Sequence, residues 1–446
     1  MSTTPPTLIH PSRIPNRWVQ LIAGIVAMMA IANLQYAWTL FTKPIQAHLH
    51  ASLAAVQWTF ALFIALETWL VPFEGYLVDR IGPRFMLGIG SVLVALGWVG
   101  SGRAESLNSL YFWYALGGIG AGIVYGGTIG NALKWFPDHR GLCVGLTAGA
   151  YGIGTATTIA PIAAMMKTSG YQHTFIVWGI IQGVVVLACA LFLARPPEGW
   201  TPPNWKEKAA RIKARVNTSA VDMTPWEMLR QPSFYVIYMM MSMLAFGGLV
   251  ITAQLNPMAV SYHVDNVIVA FGMTAVVLAI TVDRIMNGFT RPFWGWVSDR
   301  IGRENAIFIA FMLEAAAVYA LLQLISYPVW FVVLSGLCFF AWGNIFSLFP
   351  ALTGDLYGSK WATTNYGVVY TAKGVAAAFA APGAAWLFAK TGSWSKVFWA
   401  MIVCDVVAAF MALFWLKPLA ARVAKDSRLK PHVVGLAEAE GVRPAV

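Results

Sequence analysis

Residues 71–84 read VPFEGYLVDRIGPR and residues 291–303 read RPFWGWVSDRIGR. Both contain the pattern P-F-x-G-x-x-x-D-R-I-G, and the two copies stand 220 residues apart in a chain of 446. A spacing of about half the length marks an internal repeat, so the chain reads as two copies of one unit. Within each copy the glycine (Gly75, Gly295) lets another helix approach closely. The acid and base that follow (Asp79 with Arg80, Asp299 with Arg300) end a helix, where carboxylate and guanidinium can link two helix ends. Such a link serves either as a gate that breaks and re-forms or as a static clamp.

The rest of the chain says what the unit is. Hydrophobic residues make up 58% of it and charged residues 11%, against roughly 25% charged in soluble domains, which points to a lipid environment. Apolar spans of membrane-crossing length recur. Twelve are expected, at 18–42, 53–78, 85–102, 108–133, 142–166, 173–194, 233–260, 266–297, 306–325, 329–353, 363–389 and 396–416. The fold class is therefore all-α and polytopic, with two pseudo-symmetric six-helix bundles at 1–195 and 232–417, a linker at 196–231 and a tail at 418–446. TPWE (224–227) carries a capping box with Pro at the first helical position, which predicts a short helix leading into span seven. The polar, Pro-rich start has no cleavable-signal pattern.

A net charge of +11 raises the question of a nucleic-acid partner. The placement of the charge answers it. Five basic residues lie between Lys206 and Arg215, five more between Lys417 and Lys430, and the loops VDRIGPR, PDHRG and SDRIGRE fall on the same side. That is the positive-inside distribution of an inner (plasma) membrane protein with both termini cytoplasmic, and no nucleic-acid partner is expected. The four cysteines show no metal spacing, and HExxH and GxSxG are absent. Neither enzyme chemistry nor a metal or cofactor is expected, and the chain is expected to act as a monomer in the bilayer.

Charges inside the spans carry the functional signal, because each costs about 2.5–3.5 kcal/mol at helix centre. The repeat compares Val71 with Arg291, and TAGA (147–150) with TAKG (371–374), which sets Gly149 opposite Lys373. In both comparisons the second half has gained a cation that the first half folds without. Counting Arg284, Arg291 and Lys373 against Glu67 and Asp283 leaves one positive charge that a carboxylate substrate would balance. Asp283 and Arg284 read as a structural ion pair or, for Asp283, a coupling group. Glu67 is the candidate proton carrier, with Glu74 nearer the membrane edge. Gln35 and Tyr36 fall mid-span in the first helix. Glycines 118, 122, 126 and 130 form a small-residue stripe for close packing, with Tyr125 one residue off it.

The repeated loop resembles the signature of the major facilitator superfamily. LQYAWTL, GIVYG, NGFTRPFWGWVSD, FFAWGNIFSLFP and VYTAKG, in that order, resemble the oxalate:formate antiporter family within it. The resemblance implies alternating access around a site between the halves, with Arg291 and Lys373 binding the two carboxylates of oxalate. It also implies a cavity lined by Gln35, Tyr36, Tyr125 and Trp342. The chain departs from that family in having Phe346 for a tyrosine, Tyr370 for a tryptophan, and acids at Glu67 and Glu74. The expected function is exchange of small carboxylate anions such as oxalate or formate. The alternative is proton-coupled symport of a monocarboxylate with Glu67 carrying the proton.

Overall fold

The computed structural model describes residues 15–213, 216–219 and 221–426. The ends of the predicted polar start and basic tail, and Arg215 of the linker, lie outside the described residues. The first half contains α1 (Arg17–Tyr36), α2 (Trp38–Leu49), α3 (Leu53–Trp69), α4 (Val71–Ile81), α5 (Pro83–Ser101), α6 (Leu107–Trp135) and α7 (Arg140–Phe192). Short helices α8 (Trp205–Lys213) and α9 (Pro225–Leu229) lie in the linker. The second half contains α10 (Pro232–Ser261), α11 (Ala275–Ile301), α12 (Arg303–Leu324), α13 (Pro328–Trp342), α14 (Ile345–Tyr357), α15 (Ala362–Thr391) and α16 (Ser395–Met411).

Among the described residues nine helices are long and apolar enough to cross a membrane, and α3 with α4 forms a tenth span bent by 45°. Two features bring the number to the expected twelve. The 53-residue α7 is interrupted at Gly170, whose φ is 76°. The two ends of α7 return to the same end of α1: Arg17 pairs with Asp138 at 2.9 Å, and Gln20 donates to the Phe192 carbonyl at 2.8 Å. The chain therefore reverses at Gly170 and α7 supplies two spans. The twelfth is α11, whose apolar run is interrupted by Asp283, Arg284 and Arg291. Rows of exposed Trp, Phe, Ile and Leu along the outer helix faces (Trp69, Phe73, Phe85, Leu191, Trp386, Phe414) suit contact with lipid.

Local sequence explains the boundaries. Asn16, Ser52 and Ser106 cap α1, α3 and α6 with their side chains, and Thr224 with Glu227 forms the predicted capping box of α9. Three spans break near their middles, at Ala37, at Leu70 and at Gly343–Asn344. One boundary differs from the sequence reading. Residues 268–274, read as the start of span eight, form a hairpin of β1 (Ile268–Ala270) and β2 (Met273–Thr274). Phe271 and Gly272 have φ of 53° and 70°, the positive pair of a tight hairpin turn, so the β-branched run folds back before α11 begins.

On the face that bears the repeated loops, each half completes helices of the other. The N-cap residues of α7 and α15 make no side-chain capping bond. Instead Asp79, ending α4, accepts from Thr364 N at 2.8 Å and Thr364 Oγ1 at 2.7 Å at the start of α15. Asp299, near the end of α11, accepts from Gly141 N and Leu142 N, both at 3.0 Å, at the start of α7. Lys134 and Arg303 neutralise the two acids at 2.5 and 2.6 Å, and Arg140 reaches across to Asp355 at 2.7 Å. The arginines of the loops do not make the expected link. Arg80 donates to Tyr76 on its own helix, and Arg300 lies over Trp296. Aspartates next to helix N-termini satisfy free N–H groups and face the positive end of the helix dipole, which leaves the adjacent guanidinium in solvent.

Glycines set the seam above these caps. A Cβ on Gly75 would meet the Thr363 carbonyl at 2.8 Å and one on Gly367 the Val71 carbonyl at 2.8 Å, so α4 packs backbone to backbone on α15. The second copy repeats the arrangement: a Cβ on Gly295 or Gly145 would strike the Gly141 or Arg291 carbonyl, and one on Gly149 would meet the Gly288 carbonyl at 2.7 Å. These matching contacts pair 141 with 363 and 145 with 367. Lys373 therefore corresponds to Tyr151, a two-residue correction to the TAGA–TAKG register. The predicted stripe on α6 packs mostly within its own half, Gly118 against Phe63, Gly122 against Glu67 and Glu74 and Gly126 against Val71, while Gly130 meets Thr363 of α15 in the other half.

Candidate functional site

The mid-span breaks gather the polar side chains. Gln35 and Tyr36 end α1, Glu67 lies just before the bend into α4, and Trp342 and Phe346 flank the break between α13 and α14. Arg291 is 2% exposed, and its donors go to neutral oxygens: the Ala148 carbonyl at 2.7 Å and Asn287 Oδ1 at 3.1 Å. Its Nε has no partner, and among the described residues no carboxylate pairs with it. Lys373 donates to the Tyr370 hydroxyl at 2.9 Å and lies 4.0 Å from Glu67 Oε2. Arg291 Cζ and Lys373 Nζ stand 4.5 and 5.6 Å from the centre of the Phe346 ring, so that ring brings the two cations into one site.

An aromatic shell encloses them. Tyr125 stacks on Tyr370 at 5.0 Å and meets Tyr151 edge-on at 5.4 Å; Tyr36 packs on Tyr151 at 5.4 Å, and Trp342 on Phe346 at 5.5 Å. The Trp342 indole donates to the Leu244 carbonyl at 3.0 Å, which fixes it as a wall. Tyr125, Tyr370, Trp342, Phe346, Lys373 and Glu67 are all buried, whereas Gln35 and Tyr36 are half-buried at the rim.

Two groups in the site were not singled out from sequence. The Tyr151 hydroxyl lies 2.7 Å from Gln35 Oε1 and 3.1 Å from Glu67 Oε1, joining α1, α3 and α7. Asn287 steers Arg291 from one turn away on the same helix, a spacing that sequence does contain. By the repeat register Asn287 is the counterpart of Glu67.

Three charge readings need correction. Arg284 forms no ion pair with Asp283; adjacent helix residues point in different directions, and Arg284 lies over the Tyr36 and Phe339 rings at 5.1 and 5.9 Å. Asp283 lies toward Ser335 and Cys338 of α13. Glu74 is buried against Gly122, with neither oxygen partnered. Glu314 and Asp405 are fully buried in the second half beside Gly247, also without partners. Buried acids thus outnumber buried cations across the spans, so a count of residues alone gives no global surplus of positive charge. The local one remains: around Phe346 stand two cations and one carboxylate.

The family model described as Major Facilitator Superfamily matches residues 21–380 and 240–440. The oxalate:formate antiporter of Oxalobacter formigenes is 33% identical over 421 residues, covering 94% of this chain and 96% of its own. Among solved structures, the proton:xylose symporter XylE superposes with a TM-score of 0.66 at 15% identity over 90% of this chain and 96% of that one. FucP does so with a TM-score of 0.64 at 13% identity, over 89% and 98%. Two six-helix halves that each carry one copy of the repeated loop, a polar site at the breaks between them, and these likenesses agree: the chain is a multi-pass membrane transporter of the major facilitator superfamily and belongs to its oxalate:formate antiporter family.

Proposed function

We propose that the protein exchanges small carboxylate anions, oxalate- or formate-like, across the membrane, with Arg291 and Lys373 pairing the substrate carboxylates. The observation that carries this reading is the buried Arg291 guanidinium, held only by neutral oxygens and retaining an unpartnered Nε. A buried cation left so is costly unless an anion completes it. Lys373, loosely placed at 4.0 Å from Glu67, is the second anchor. Gln35, Tyr36, Tyr125, Trp342, Tyr370 and Phe346 form the walls, whose rings exclude water and leave carboxylate recognition to the two cations.

The halves 1–195 and 232–417 rock about the site, joined by 196–231, and the capped face is the cytoplasmic one. Asp79, Arg80, Asp299 and Arg300 belong to the gating loops, the aspartates as the closing contacts. An empty site with surplus positive charge resists passage through a dehydrated, closed state, and a bound carboxylate lowers that barrier; exchange rather than net flow follows. In the test, purified protein in liposomes preloaded with oxalate or formate takes up labelled oxalate by exchange. Equal uptake into empty liposomes refutes exchange, and no uptake of any C1–C4 carboxylate refutes the substrate class.

A further inference from the structure

The third charge of the site has a use in this reading. Glu67 is fully buried, yet its hold on Lys373 is loose: 4.0 Å is well beyond the roughly 2.7–2.9 Å of a charge-assisted hydrogen bond. Glu67 Oε2 accepts no hydrogen bond at all. Glu67 Oε1 faces Tyr151, whose single hydroxyl proton lies between two acceptors, Glu67 and Gln35. A proton on Glu67 satisfies this chain, with Glu67 donating to Tyr151 and Tyr151 donating to Gln35 at the half-buried rim.

Every element around Glu67 contributes to the same balance. Lys373, Tyr370 and Tyr366 face it from α15, Tyr151 from α7, Tyr125 from α6 and Glu74 from α4. Arg291 does not pair with it; it shares the Phe346 ring with Lys373, and Tyr125 and Tyr366 lie near both Arg291 and Glu67. Lys373 is the one cation among the side chains facing Glu67 within the described residues. With Arg284 half-buried at the Tyr36 rim, and Glu74 counted as uncharged because neither of its oxygens has a partner, the buried centre with Glu67 ionised holds two cations and one anion and is neutralised by a monovalent cargo. With Glu67 protonated, it is neutralised by a divalent one. Closing a site over uncompensated charge is strongly disfavoured.

We propose that Glu67 matches the valence of the cargo: a dicarboxylate is carried together with one proton on Glu67, and a monocarboxylate with Glu67 ionised. This rests on the carboxylate-exchange reading above and adds a prediction to it. Exchange of a dicarboxylate for a monocarboxylate then moves no net charge, since the dianion travels with a proton. The proton enters from water on one side and leaves on the other, and no bond of the cargo changes.

The test uses the full-length protein in liposomes, with formate inside, labelled oxalate outside, and potassium with valinomycin to set the potential. For the wild type the expected exchange is insensitive to the imposed potential. A one-unit pH gradient shifts the final oxalate ratio about tenfold, the weight of one proton. Glu67→Gln is expected to make the exchange potential-driven and insensitive to the pH gradient. Where that variant folds but does not exchange, binding decides: in weakly buffered detergent solution the wild type takes up a proton on adding oxalate and none on adding formate, and the variant takes up none with either. Wild-type exchange that responds to potential and ignores the pH gradient overturns this inference and leaves the exchange reading standing. So does proton uptake on oxalate binding that survives in Glu67→Gln. Absence of any carboxylate exchange or binding by the wild type overturns the exchange reading itself.

Discussion

Replacing Asp79 with alanine isolates what holds the two halves together on the capped face. The Asp79 carboxylate accepts three hydrogen bonds, but only those from Thr364 N (2.8 Å) and Thr364 Oγ1 (2.7 Å) cross between halves. The Lys134 contact at 2.5 Å joins α4 to α6 within the first half, so it persists whichever side is open and drops out of the opening equilibrium. Hydrogen bonds to a charged acceptor contribute about 1.5–3 kcal/mol each, and loss of a helix cap alone costs about 0.5–2 kcal/mol. The two overlap at Thr364, and water repays part of the loss once the face opens. A net penalty of about 3 kcal/mol remains for the closed arrangement, on the order of a hundredfold in the closed-to-open ratio. Spin labels at Arg80 and Lys360, exposed residues on opposite halves, report it in pulsed dipolar distance measurements in lipid. Asp79→Ala is expected to shift the distance distribution to longer values, and Asp79→Asn, which keeps an acceptor without the charge, to fall between. A distribution unchanged from wild type in a variant that still melts cooperatively would refute the idea that this cap biases the conformation.

Other outcomes follow from the same geometry. Arg291→Gln and Lys373→Gln are each expected to abolish the thermal stabilisation that oxalate gives the wild type, read by melting in detergent; either variant keeping the full shift removes that residue from the site. Tyr151→Phe deletes the hydroxyl between Gln35 and Glu67 and is expected to weaken apparent substrate affinity about fivefold, equivalent to about 1 kcal/mol, in exchange assays across substrate concentration. Glu314→Gln and Asp405→Asn each remove a buried acid that has no cation beside it and are expected to raise the melting temperature by a few degrees. A marked fall in either would mean that the buried pair holds something the second half needs.

The two loops at 71–84 and 291–303 were enough to expose the repeat, because the D-R-I-G ends are specific and stand half a chain apart. Arg291 and Lys373 were equally legible, as cations in hydrocarbon. Glu314 and Asp405 were visible too, each in the middle of an apolar span, and counting them corrects the charge argument from global to local. Other features had no linear signal. Tyr151 meets Glu67 across 84 residues of chain, and nothing in its neighbourhood distinguishes it from a packed tyrosine. The two-residue shift that pairs it with Lys373 appears only when the glycine contacts of both halves are compared. The hairpin at 268–274 was lost for a different reason: Ile, Val and Ala in an apolar run fit strand and helix alike, and the positive φ of Phe271 is a tertiary outcome.

The seam between α7 and α11 has a consequence for engineering. There the halves touch through backbone, with Gly141, Gly145, Gly149 and Gly152 of α7 lying against Gly288, Arg291 and Gly295 of α11. Along this line few side chains interlock, Ile153 against Gly288 and Arg291 on the Ala148 carbonyl being among those that cross it, so the surface is suited to act as a bearing that parts and reseats. It is also a keyhole. A single added methyl group at Gly145 would wedge α7 from the Arg291 carbonyl, on the seam that runs up from the Asp299 cap, without substituting any charged residue. Small substitutions along this line offer a graded set of spacers for trapping the transporter with its capped face ajar.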